Sequence, residues 1–146
     1  MITKRPAWDG SLLAAGILTA SMGLYHFWLP AQFGWARELA QDRMLQWALL
    51  SINTFFSYLL LAGGVVTFAI ALRRRPRDPI DAWMLIAMTG FWVLNAAYQM
   101  FLPMPLPPRL ASLRWALLAF AIVVLFLYAR GLQRSRRPPA GSDRAA

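Results

Sequence analysis

The sequence predicts an all-α protein: an integral membrane four-helix bundle with its N and C termini on the cytoplasmic side. Three observations carry that expectation. Apolar residues fill 59% of the 146 positions and gather into four stretches, each near the roughly 20 residues that a helix needs to cross about 30 Å of hydrocarbon. Charged residues make up only 14% and crowd into the ends and one short internal run, so the net charge of +9 does not describe a basic soluble surface. Lys and Arg also divide unequally between the two sides that four spans create.

The first span is expected at about 11–28. Lys4 and Arg5 precede it as they would a secretory signal, but no small-residue cleavage site follows before His26-Phe27-Trp28-Leu29-Pro30, so the span is expected to stay in the mature chain. Residues 30–44 alternate Phe33, Trp35, Ala36, Leu39 and Ala40 with Arg37, Glu38, Gln41, Asp42 and Arg43, which suits a short interfacial helix or an extension of the second span. The second span, about 45–72, exceeds what the bilayer requires and implies tilt or a projecting turn. The run Arg73-Arg74-Arg75-Pro76-Arg77 then marks a cytoplasmic connection; with Arg134-Ser135-Arg136-Arg137 it would also touch acidic headgroups. A nucleic-acid partner is not expected.

The third span is expected at about 80–102. After it, Pro103-Met104-Pro105-Leu106-Pro107-Pro108 places four prolines in six residues, which cannot continue a helix and favour a stiff extended link. The fourth span, about 110–128, is almost wholly Leu, Ala, Val, Ile and Phe after Arg114 and reads as scaffold or lipid-facing wall. From Pro138 onward nothing remains to bury, so 133–146 is expected to be a disordered basic cytoplasmic tail beyond a transmembrane domain of 1–132.

Orientation follows from the positive residues. Lys4, Arg5, the 73–77 run and the arginines from Arg130 onward fall on one side, leaving Arg37, Arg43, Arg109 and Arg114 on the other. Both termini are therefore expected in the cytoplasm, with the chain a multi-pass protein of a bacterial-type inner membrane.

Composition also excludes chemistry. No cysteine is present, so disulfide frameworks, thiolate metal sites and cysteine redox chemistry are closed. The spans read as free of embedded carboxylates, which removes zinc or di-metal catalysis and proton-exchanging multidrug export. The single histidine, His26, offers one axial ligand, so haem would need Met22, Met100, an oligomer axis or a partner subunit. Ser21 and His26 are five residues apart on one helix, off a common face, and no acid orients the imidazole. Gly63-Gly64 sits mid-span without a following Lys-Ser or Lys-Thr and reads as a close-packing position rather than a phosphate loop. No cofactor is predicted; a quinone or haem would be the candidates.

Intramembrane polar residues remain the place to look for function. On span one, Ala15, Thr19 and Gly23 form a small-residue stripe that His26 continues, so His26 should face protein. Gln46, Asn53 and Ser57 share a face of span two, and Asn95 and Gln99 stand at i and i+4 on span three, with Trp92 a turn earlier. Counting inward at about 1.5 Å per residue, His26 lies about 3 Å below Trp28, Asn53 about 9 Å below Trp47 and Asn95 about 10 Å below Leu102. Three antiparallel helices thus bring Tyr25, His26, Asn53, Asn95, Tyr98 and Gln99 into one outer half-bilayer, as a shared polar pocket or as interhelical glue.

Gly23-Leu24-Tyr25-His26-Phe27-Trp28-Leu29-Pro30 resembles the end of the first span in small bacterial four-helix membrane proteins grouped as DoxX-like, where a Gly-x-x-His-Phe-x-x-Pro type of segment recurs. Length and span number agree with that likeness. The resemblance implies a small helical bundle whose His26 end faces a lipid, a quinone or a partner subunit, as in relatives associated with quinol-oxidising or redox-stress complexes. Two functions stand as expectations. One is a non-catalytic accessory or assembly subunit packed against another membrane protein or a second copy of itself; the other is a binding protein or minor transporter for a quinone or lipid in the outer-leaflet pocket. In both, the lipid bilayer is the constant partner.

Overall fold

In the computed structural model, residues 8–73, 78–102 and 108–135 are described, with the side chains of Arg109 and Ser135 excepted. The 74–77 basic run, most of the proline link and the tail from Arg136 lie outside them. The described chain is all-helical: α1 (Gly10–Gln32), α2 (Trp35–Glu38), α3 (Arg43–Leu72), α4 (Pro79–Phe101) and α5 (Ala111–Ser135), with a 3-10 turn at Pro108–Leu110. Four of these helices, α1, α3, α4 and α5, are long and apolar enough to cross a membrane. The chain is thus a multi-pass, four-helix membrane protein.

Three of the four long helices start on an aspartate. Asp9 accepts from the N–H groups of Ser11 and Leu12, Asp42 from Leu45 at 2.9 Å, and Asp78 from Asp81 at 2.8 Å, with Pro79 preset at the first position of α4. Each carboxylate satisfies N–H groups that the helix itself leaves unpaired and sits at the positive end of the helix dipole. At its far end α1 closes at Gly34, whose φ of 62° is open to glycine at little cost. The 30–44 connection holds a single helical turn, α2, before α3 begins two residues earlier than the expected boundary. Helix α5 continues through Ser135, so the first residues assigned to the tail are helical.

The helices form a ring in the order α3, α1, α5, α4, and the α3–α4 contact that closes it is sparse. Chain neighbours joined by the short basic connection are therefore the least packed of the four adjacent pairs in the ring. The most closely packed pair, α1 and α3, meets through small residues. A side chain at Gly16 would meet the Phe68 backbone N at 2.7 Å, and one at Gly23 would meet the Ser57 carbonyl at 2.9 Å. Two antiparallel backbones this close exclude a third helix and gain dispersion along their length. Gly63, by contrast, faces the Met88 side chain of α4.

At the end carrying the start of α1 and the end of α5, here the basic end, ion pairs tie the ring. Arg134 of α5 reaches Asp9 at 3.4 Å, and Arg73 pairs with Asp81. Asp81 corrects the expectation of spans free of buried carboxylates: it lies in the first turn of α4 and is 3% exposed, with Oδ2 buried and without a hydrogen bond. Its ion pair and the N-terminus of its own helix compensate the desolvation.

Between the ends, a hydrogen-bonded chain crosses all four helices. The Trp92 indole N–H donates to Thr19 Oγ1 (3.2 Å), Thr19 and Tyr128 hydroxyls lie 3.3 Å apart, Tyr128 and Thr67 2.9 Å apart, and Thr67 donates to the Gly63 carbonyl (2.7 Å). An indole only donates and a carbonyl only accepts, so the direction is set: Thr19 donates to Tyr128 and Tyr128 to Thr67. Each hydroxyl then gives one hydrogen bond and receives one, leaving no polar atom of the chain unpaired in the core. The expectation that span four is plain wall therefore fails at Tyr128, which is fully buried.

Candidate functional site

Above Trp92, towards the α2 end, the four long helices line a cavity of about 230 Å³. Helix α1 supplies Met22, Tyr25, His26 and Leu29, and its C-cap residue Phe33 joins them; α3 supplies Phe56 and Leu60. Phe91, Trp92, Asn95 and Gln99 come from α4, at spacings that a single helical face repeats. From α5 come Leu113, Leu117 and Phe120.

The walls are largely aromatic. Ring centroids run from His26 to Phe56 (4.9 Å), Phe56 to Phe91 (5.6 Å), Phe91 to Trp92 (5.5 Å) and Trp92 to Phe120 (5.7 Å), linking α1, α3, α4 and α5 in turn. These are the tilted and edge-on separations at which aromatic pairs attract beyond their buried area. Trp92 also heads the hydrogen-bonded chain beneath, so the floor of the cavity is anchored to Thr19.

Against these walls stand few polar groups. The side-chain amides of Asn95 and Gln99, one turn apart on α4, hydrogen-bond to no other described residue, and both line the cavity. Among the described residues, no Lys, Arg, Asp or Glu is in the lining, and neither is Ser, Thr or Cys. These residues can hold and orient a molecule with hydrogen-bonding groups, and none of them is a counter-ion to a charged one. Met22 and His26 occupy one face of α1 a turn apart, which cannot place ligands on opposite sides of one haem iron. Among the described residues, no three His, Cys, Asp or Glu side chains form a group that could hold a metal ion.

The residues anticipated from sequence divide. Tyr25, His26, Asn95 and Gln99 line the cavity together. Asn53 does not: it is buried, and its amide donates to the His26 carbonyl at 2.8 Å. Tyr98 is 60% exposed on the outer face of α4. Gln46 donates to the Ala36 carbonyl of α2, and Ser57 returns its hydroxyl to the Asn53 carbonyl on its own helix. Sequence reasoning missed Phe56, Phe91, Phe120 and the α5 leucines, because an aromatic or leucine in a span carries no mark of which face meets lipid. The i, i+4 spacing of Phe91 with Asn95 was the one available signal.

Comparison with family models, characterised proteins and solved structures finds no match for this chain.

Proposed function

We propose that this is a binding protein or minor transporter for a hydrophobic small molecule, seated in a bacterial-type inner membrane with both termini cytoplasmic and the cavity in the outer leaflet. The observation that carries the reading is the pair of amides, Asn95 and Gln99, that hydrogen-bond to no other described residue and face a cavity lined in part by aromatic rings. Both residues are half-buried, and a bound head with oxygen atoms would give their amides hydrogen-bond partners. The volume of about 230 Å³ exceeds the about 150 Å³ in which an apolar cavity holds benzene, and falls short of the about 300 Å³ at which drug-sized sites begin. A single uncharged ring with an apolar tail, of the quinone class, fits those limits, and no cation stands among the described lining residues to meet a phospholipid head. The DoxX-like resemblance of residues 23–30 belongs to the same proposal.

The orientation is supported by charge: Arg73, Arg130 and Arg134 gather at the basic end, while Arg37, Arg43 and Arg114 belong to the other. A second reading, an accessory subunit or homo-oligomer, is favoured by the outer face of α4, where Gly90 has open space in place of a side chain and Leu94 is exposed.

Native mass spectrometry from mild detergent, followed by titration with a decyl-tailed benzoquinone and with phosphatidylglycerol, tests both. Benzoquinone binding that Asn95→Leu weakens is the expected result. Binding of neither probe, with a stoichiometric protein partner retained instead, would replace it with the subunit reading.

A further inference from the structure

Pro30 lies inside α1, two residues before its end. Proline has no N–H, so the carbonyl four residues earlier, that of His26, loses the hydrogen bond that an α-helix would give it. In a hydrocarbon-embedded helix an unpaired carbonyl is strongly unfavourable. The Asn53 side chain of α3 donates to that same oxygen at 2.8 Å. Asn53 itself is 8% exposed and does not line the cavity. The turn that crosses Pro30 carries Leu29 and Phe33, both cavity-lining, and the His26 ring lies 4.9 Å from Phe56.

We infer that Asn53 is a positioning residue for the cavity: its amide replaces the backbone donor missing at Pro30 and so fixes the last turn of α1, with His26, Leu29 and Phe33, against α3. The effect on ligand rests on the reading of the cavity as a binding site; the replacement of the hydrogen bond does not. An ordinary interhelical bond would be indifferent to the residue at position 30. A replacement bond is not, because Pro30→Ala would bring back an N–H for the His26 carbonyl and make Asn53 dispensable.

The test compares Asn53→Leu, Pro30→Ala and the double variant in two measurements: amide hydrogen exchange over residues 29–34 in the empty full-length protein, and titration with the decyl-tailed benzoquinone. Asn53→Leu should speed exchange and weaken binding by about tenfold each. Adding Pro30→Ala should return both to within about threefold of the parent protein. If Asn53→Leu alone does not fold, folding of the double variant is the same rescue. A double variant as defective as Asn53→Leu, or Asn53→Leu without effect on exchange, overturns the inference. Failure of the parent protein to bind the benzoquinone would remove the ligand reading, and the exchange comparison would still decide the role of Asn53.

Discussion

The two halves of this bundle use polar side chains differently. In the basic-end half, Thr19, Thr67, Trp92 and Tyr128 satisfy one another, Arg73 and Arg134 meet Asp81 and Asp9, and glycines bring α1 and α3 to backbone contact. In the α2-end half, Asn53 and Gln46 bond backbone carbonyls, while Asn95 and Gln99 hydrogen-bond to no other described residue and line the cavity. The same residue chemistry is structural where it is paired and available where it is not. Polarity in a span is thus a poor guide to function until the pairing is known.

The contrast predicts effects of different kind and size. Gly64→Leu should be the most disruptive change, since any side chain there meets the Ala20 backbone and the Gly16 carbonyl; a loss of about 3 kcal/mol or more, read as thermal unfolding in mild detergent, is expected. If Gly64→Leu is tolerated, the closed half is looser than its contacts imply. Asn95→Leu should weaken benzoquinone binding by about tenfold while leaving stability unchanged or raised, because it removes an unpaired polar group. A fall in stability instead would mean that Asn95 belongs with the paired residues. Tyr128→Phe should do the reverse: about 1 kcal/mol of stability lost through the broken chain, with binding within about twofold of the parent. Tyr98→Phe should change neither, and a binding defect there would move the site to the outer face of α4.

How far the sequence could be read follows from particular residues. The spans were legible in hydropathy, whereas the starts on Asp9, Asp42 and Asp78 emerged from the structure, although capping is local chemistry within one turn. The stripe of Ala15, Thr19 and Gly23 was legible as an interface, and all three are buried. Asn95 and Gln99 could be placed on one face with Trp92, and the structure opens that face to the cavity. Asn53 looked equivalent to them by depth and helical face, and nothing on its own helix distinguishes it. Its partner is created by Pro30, 23 positions earlier, through a carbonyl that only helix packing brings within reach.

By itself, then, the sequence determined that there are four apolar helices, roughly where they lie and which end gathers the positive charge, since hydropathy and charge act along the chain. Tertiary structure alone decided the ring order, the burial of Asp81 and Tyr128, and which amides are paired. Those depend on the distance between helices, which is set where glycines allow backbones to touch and large aromatic rings hold them apart.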